Sequence, residues 1–96
     1  RPDICVGYDS FHASKGIITK VKNICDVNNY TSGDNEPFSG SYVPLKYFQK
    51  ESTVKSLMVE IRRGTYMDES TGSKSKQYDQ TKNLVTEVIR EIISTL

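Results

Sequence analysis

The stretch Thr-Val-Lys-Ser-Leu-Met-Val-Glu-Ile, residues 53–61, is the strongest strand signal in the chain, and Arg62 and Arg63 follow it at once. Its last five residues are apolar except for Glu60. A strand that is apolar on both faces is typical of the middle of a sheet covered on both sides. Because a carboxylate is expensive to bury without a partner, Glu60 needs either a nearby cation or a function.

The other segments alternate between short strands and amphipathic helices. We predict strands at residues 3–7 and 30–33, helices at 14–26 and 78–96, a helical turn at 45–50, and loops at 35–44 and 64–76. Ser14 is a suitable N-cap for the first helix. The second helix carries one apolar stripe, formed by Val85, Val88, Ile89, Ile92 and Leu96. This order predicts an α/β domain over residues 1–96, with a mostly parallel sheet flanked by helices.

Composition excludes several classes of protein. With 96 residues and a net charge of +1, the chain suits one small domain and has no basic block for binding nucleic acid. No apolar run approaches the roughly 20 residues that span a bilayer. Cys5 and Cys25 match no disulfide framework or zinc spacing, so we interpret them as reduced, buried thiols of a cytoplasmic protein. Because the chain opens on Arg1 and predicts few strands, we expect it to be part of a larger α/β domain.

Glu60 is the first candidate for chemistry. Its apolar neighbours should raise its pKa unless a cation lies nearby, and a carboxyl group of that kind suits a general base or acid. The alternative is a structural ion pair with Arg62 or Arg63. Strand alternation places Arg62 on the same face as Glu60 and Arg63 on the other face.

The candidate binding residues are Arg63 and the loop Asn-Glu-Pro-Phe-Ser-Gly at residues 35–40. A guanidinium at a strand end can bind a carboxylate in bidentate fashion, although a solvated or ion-paired arginine is the alternative. Asn35, Ser39 and Gly40 offer amide and hydroxyl donors to an anion, although such loops are often plain turns. The only histidine, His12, cannot form a zinc site by itself, and we interpret it as a surface or loop-packing residue.

Four segments together resemble the C-terminal part of the N-formylglutamate amidohydrolase family. They are Pro-Asp-Ile-Cys-Val-Gly at residues 2–7, the 35–40 loop, Val-Glu-Ile-Arg-Arg at 59–63 and Tyr-Met-Asp-Glu at 66–69. The similarity covers nearly the whole chain, and residues 60–69 are its most specific part. Two positions depart from the family pattern, since Ser41 replaces a second glycine and Arg62 replaces an asparagine.

The resemblance implies a zinc-dependent hydrolase with an α/β fold like that of the zinc carboxypeptidases, which is a phosphorylase/hydrolase-like fold. Its substrate would be a small acidic amino acid that carries an N-formyl or other N-acyl group. Glu60 would activate a zinc-bound water and then protonate the leaving amine. Arg63 and the loop residues Asn35, Ser39 and Gly40 would hold the substrate carboxylates.

The zinc ligands of the family lie upstream of the segments that match. By the same resemblance they are absent from this chain, and we therefore expect these 96 residues alone to be inactive. Two alternatives remain open, namely a non-catalytic domain that binds anions or carboxylates, and a structural fragment. A missing N-terminal segment or a second copy of the chain would be the corresponding partner.

Overall fold

The computed structural model describes residues 1–95 and contains a short sheet with two long helices. The elements in chain order are β1 (Ile4–Gly7), α1 (Lys15–Val27), β2 (Ser32–Asp34), β3 (Met58–Ile61), a 3₁₀ helix (Arg63–Thr65) and α2 (Tyr78–Ser94). The α/β class is therefore confirmed. Within the described residues, neither helix is long and apolar enough to cross a membrane.

The sheet is mixed, which corrects the prediction of a mostly parallel one. Its order is β2-β1-β3, with β2 parallel and β3 antiparallel to β1. A parallel neighbour needs a crossover connection, and α1 provides one between β1 and β2. The segment from β2 to β3 contains no helix, so the chain turns back and β3 enters the sheet in the opposite direction.

The central strand is β1, and not the segment at residues 53–61. Every residue of β1 is buried, whereas β3 covers only Met58–Ile61, is half-buried, and lies at an edge of the sheet. The apolar pattern of β3 is real, but residues 1–95 place a strand on only one side of it.

Both helices pack on one face of the sheet. The core joins Ile4 and Val6 of β1 to side chains of α1 and α2, and its buried members are Ile4, Val6, Val21, Cys25, Tyr30, Leu84 and Val88. Burial of an aliphatic side chain of this size contributes about 1.5–3 kcal/mol. The N-cap prediction is confirmed, because the Ser14 hydroxyl accepts a hydrogen bond from the Ile17 N–H group at 3.2 Å.

The apolar stripe of α2 is rotated from the predicted one. Thr81, Leu84 and Val88 are buried, whereas Ile89 is 50% exposed, so the prediction that it is buried is wrong. The helix contacts α1 with one flank, which turns the side of Ile89 away from the core. Leu96, also assigned to the stripe, lies outside the described residues.

The remaining segments are mostly turns. Residues 45–50 form turns, and the Phe48 N–H group donates to the Pro44 carbonyl at 3.1 Å, which is the bond of a single helical turn as predicted. The segment at 64–76, predicted as a flexible loop, begins within the 3₁₀ helix and contains an antiparallel bridge between Met67 and Lys74. These turns connect the elements without adding a fourth strand within residues 1–95.

Candidate functional site

The candidate site lies on the sheet face opposite the helices. Because side chains alternate along strands, Cys5 and Gly7 of β1 share this face with Met58 and Glu60 of β3, which pair with them in the register. The 35–40 loop covers the face, since the Cys5 Sγ donates a hydrogen bond to the Phe38 carbonyl oxygen at 3.1 Å. The loop and Glu60, predicted separately, therefore lie on the same side of the sheet.

Close contact between loop and sheet explains the glycine at position 7. A Cβ atom there would lie 2.4 Å from the Gly40 carbonyl oxygen and 2.5 Å from the Met58 Cε. Real Cβ atoms do not approach neighbours so closely, and one of these atoms is backbone. A side chain at position 7 would thus push the loop off the sheet.

Asn35 is the residue that holds the loop in place. Its Oδ1 accepts hydrogen bonds from the Tyr8 N–H group at 2.9 Å and from the Gly40 N–H group at 3.0 Å. Its own N–H group donates to the Val6 carbonyl at 2.8 Å. The backbone φ of Asn35 is +54°, in the left-handed region that asparagine tolerates better than most residues. Asn35 therefore makes three of the hydrogen bonds that hold the loop in place.

The same hydrogen bonds define which part of Asn35 remains for a ligand. Because Oδ1 accepts from two backbone N–H groups, the orientation of the amide is fixed. The Nδ2 group makes no hydrogen bond with any residue in 1–95 and is the donor left over. Ser39 is exposed nearby. Asn35 and Gly40 are thus in direct contact, and Ser39 precedes Gly40 in the same loop.

Glu60 is half-buried and makes no ion pair with any residue in the described part of the chain. The alternative of a pair with Arg62 or Arg63 is therefore wrong here. Arg62 instead contacts Asp3, since its Nη2 lies 2.6 Å from Oδ1 of Asp3 and its N–H group donates to the Asp3 carbonyl at 2.8 Å. Burial opposes ionisation of Asp3, but the hydrogen bond from Arg62 and two from Thr31 outweigh it and lower its pKa.

The two positions that depart from the family pattern have a feature in common. Within residues 1–95, the buried Ser41 Oγ and the buried Arg62 Nε have no hydrogen-bond partner. An unsatisfied buried polar atom costs about 1–3 kcal/mol. Ser41 and Arg62 therefore each have one buried polar atom that the described residues leave without a partner.

Arg63 lies away from the loop, and the direction of β3 is the reason. It is exposed in the 3₁₀ helix that follows β3. The register pairs Ile61 with Ile4, so β3 ends beside the first residue of β1. Asn35 instead adjoins Val6, near the last residue of β1. The structure therefore does not bring Arg63 together with Asn35, Ser39 and Gly40.

A cluster of polar side chains lies at the carboxyl ends of β1 and β2, and the sequence did not lead us to predict it. The Tyr8 hydroxyl donates to Asp34 at 2.8 Å, and Lys22 forms an ion pair with the same carboxylate. The hydrogen bond from Lys22, with that from Tyr8, lowers the pKa of Asp34, while the bond to Asp34 raises the pKa of Lys22. The sequence contained one indication of this cluster, because the carboxyl ends of two parallel strands meet at the same edge of a sheet.

His12 is fully buried. The prediction of a surface residue is therefore wrong, and the prediction of a loop-packing residue is supported. Its Nδ1 lies 2.8 Å from the Val54 carbonyl oxygen, and its Nε2 accepts from the Gln49 N–H group at 2.8 Å. The carbonyl can only accept, so Nδ1 carries the proton. Phe11 and Phe48 enclose the ring. His12 therefore organises the turns at residues 45–54.

The residues described do not fit a zinc site. Nowhere in residues 1–95 do three or more histidine, cysteine, aspartate or glutamate side chains cluster as a metal would require. Both ring nitrogens of His12 are occupied by backbone groups, and Cys25 is buried in the core, where desolvation raises its pKa. The thiol of Cys5 is hydrogen-bonded to the loop.

The fold and site are those of an α/β domain in which a loop covers a sheet face that carries a half-buried glutamate. A comparison with models of known protein families matches residues 1–67 to N-formylglutamate amidohydrolase. The match covers more than half of the 96 residues, and the chain therefore belongs to that family. This confirms the resemblance in the sequence. A search of curated proteins finds no match.

A solved structure with a similar fold is the N-formylglutamate amidohydrolase from Ralstonia eutropha JMP134. The two superpose with a TM-score of 0.82 over 99% of this chain, at 23% sequence identity. At that identity the likeness shows the fold alone. This chain spans 34% of the length of the Ralstonia protein.

The role of Asn35 leads to a stability prediction. Asn35→Ala removes the acceptor for two backbone N–H groups and should lower the free energy of unfolding by about 1–3 kcal/mol through those bonds. Asn29→Ala is the matched control, because Asn29 also has a left-handed backbone, with φ of +64°, and lies outside the loop. Chemical denaturation of both variants measures the difference.

Hydrogen exchange shows which backbone amides are affected by the loss of the Asn35 side chain. The amide protons of Tyr8 and Gly40 should lose protection in Asn35→Ala and keep it in Asn29→Ala. Equal destabilisation by the two variants, with both amides still protected, would show that Asn35 does not hold the loop.

Proposed function

We propose that residues 1–96 form the C-terminal part of an amidohydrolase that acts on acidic amino acids carrying an N-formyl or other N-acyl group. The family match supports the reaction class. The observation that carries the proposal is the position of Glu60, half-buried on the sheet face that the 35–40 loop covers. A carboxylate and a set of anion-binding donors thus share one face.

Glu60 is the proposed proton-transfer group, which takes a proton from the attacking water and returns one to the leaving amine. A carboxylate in this role must lie within hydrogen-bond reach of the reacting atoms. Within residues 1–95 no cation pairs with it, so its oxygens are not held by a structural ion pair.

The loop is proposed to bind a carboxylate of the substrate. Asn35 offers Nδ2, Ser39 offers its hydroxyl group, and Gly40 shapes the backbone around them. Arg63 is proposed to bind at a second point, because it lies towards the opposite end of β1, and four strand residues span roughly 13 Å. This separation is larger than the distance between the two carboxylates of one acidic amino acid, so the binding role of Arg63 rests on the family resemblance and not on its position relative to the loop.

Zinc dependence is part of the proposal for the whole enzyme, and not for this segment. The described residues do not fit a zinc site, so the ligands would have to come from a part of the family fold outside residues 1–96. Zinc would supply a polarised water when bound. The free, buried thiols of Cys5 and Cys25 fit a cytoplasmic protein, which we propose as its location.

The first prediction concerns the isolated chain. Purified residues 1–96 should show no zinc-dependent release of formate from N-formylglutamate, because the chain lacks a fitting metal site in its described residues. A formate-release assay with and without added zinc tests this. Turnover that requires zinc and persists through repurification would contradict it.

The second prediction concerns Glu60 in a complete fold. We would replace the matching third of the Ralstonia protein with residues 1–96 and compare Glu60→Gln with the unchanged chimera. Loss of a general acid–base group should lower kcat by about 10²–10⁴-fold with little change in KM. Glu69→Gln, at an exposed position, is the matched control and should retain activity.

The alternative is a carboxylate-binding domain without catalysis. The arrangement of the loop favours it, because the Asn35 amide and the Ser39 hydroxyl belong to one loop whose turn is closed by the Gly40 N–H group, without a metal site in residues 1–95. Calorimetric binding of N-formylglutamate by the isolated chain, together with an inactive chimera, would support this alternative. A chimera whose Glu60→Gln variant keeps more than a tenth of kcat would remove Glu60 from the mechanism.

A further inference from the structure

The outer edge of β3 has backbone groups that no described residue binds. The Arg62 N–H group donates to Asp3, and alternate residues of an antiparallel strand face the partner, so Met58 and Glu60 also point towards β1. Val59 and Ile61 therefore point their N–H and C=O groups outward. These groups make no hydrogen bond within residues 1–95. An edge of this kind is a template for another strand.

A largely apolar groove adjoins the end of this edge. It has a volume of about 300 Å³ and lies between the end of β3 and α2, with Ile61, Tyr66, Tyr78 and Val85 among its walls. It places apolar side chains next to the outward-facing backbone groups of Ile61.

An apolar flank of α2 begins at the groove with the half-buried Val85 and continues beyond it with two exposed residues. Val85, Ile89 and Ile93 recur every four residues, and Ile89 and Ile93 are 50% and 60% exposed. The opposite flank of α2 contacts α1, because Glu91 pairs with Lys20 at 3.4 Å. The apolar flank therefore overhangs the space beyond β3 and not the space above β1.

We propose that this surface, defined as the outer edge of β3 with the groove and the apolar flank of α2, binds an extended strand from the remainder of the amidohydrolase fold. The strand would pair with Val59 and Ile61 and lie beneath Val85 and Ile89. The occupant follows from the comparison of folds, since most of the Ralstonia structure lies outside the part that this chain matches. The sequence pattern agrees, because β3 has the apolar character of a central strand.

The added strand would also complete the surroundings of Glu60. Side chains directly opposite each other on neighbouring strands lie about 4.5–5.5 Å apart on one face. One residue of the added strand would thus lie beside Glu60, on the face that the 35–40 loop covers. This consequence rests on the proposed function, whereas the docking surface itself does not.

Hydrogen exchange measured by NMR tests the docking surface without any assay of activity. In the isolated chain, the amide protons of Val59 and Ile61 should exchange rapidly, whereas those of Glu60 and Arg62 should be protected. The probe is the Ralstonia protein from which the matching third has been deleted. Adding it in excess should slow exchange at Val59 and Ile61 at least tenfold.

Two variants separate docking from folding. Ile89→Lys places a charge on the apolar flank and should abolish the added protection while the free chain stays folded. Val27→Lys is the matched control, because Val27 is 79% exposed at the end of α1, and it should behave as the unchanged chain does.

Three results would overturn the proposal. The first is protection of Val59 and Ile61 in the dilute free chain, which would mean that the edge is already occupied. The second is protection that rises with the concentration of the chain itself, which would assign the edge to a second copy. The third is unchanged exchange with the probe in excess, which would mean that the strand does not bind here.

Discussion

The antiparallel pairing of β1 with β3 is the constraint on which the rest of the structure depends. It places Glu60 opposite Cys5 and Met58 opposite Gly7, on the face away from both helices. The same pairing joins Arg62 to Asp3 and thereby leaves Glu60 without an ion pair in the described part of the chain. It also carries Arg63 towards the beginning of β1. If β3 were parallel to β1, its end and Arg63 would instead lie near the last residue of β1 and near Asn35.

The loop at residues 35–40 depends on that pairing in turn. Gly7 leaves room for the Gly40 carbonyl next to Met58, and the Cys5 thiol binds the Phe38 carbonyl. Asn35 then closes the loop by accepting from Tyr8 and Gly40. The site therefore combines two side-chain donors of the loop, the Asn35 amide and the Ser39 hydroxyl, with the carboxylate of Glu60, and it lies over the small residues Cys5 and Gly7 of β1. Its chemistry is incomplete in residues 1–95, because no metal-binding cluster accompanies it there.

Local sequence signals were sufficient for the elements whose partners are close in the chain. The strand at Ile4–Gly7 and the helix at Lys15–Val27, with its cap at Ser14, were predicted to within a few residues. The 35–40 loop was also recognised, because its proline and glycine exclude regular structure. In each case a few neighbouring residues determine the conformation.

Features that depend on distant parts of the chain could not be predicted in the same way. Strand direction is not encoded in an apolar run, so a mixed sheet and the displaced Arg63 were not expected. The apolar run at residues 53–61 describes a strand with two neighbours, yet the described residues supply one. The predicted burial of Ile89 was wrong for the same reason, because an apolar residue on a helix is buried only where another element covers it. His12 was buried by Gln49 and Val54, which lie about 40 residues away in the sequence.

The most direct test of this account is the register between β1 and β3 in solution. In an antiparallel ladder the α-protons of pairs that do not exchange hydrogen bonds lie closest together. The account predicts nuclear Overhauser effects between the α-protons of Ile4 and Ile61, and of Val6 and Val59. A pattern shifted by one residue would turn Glu60 to the helix side. That shift, or a parallel pattern, would contradict the placement of the site.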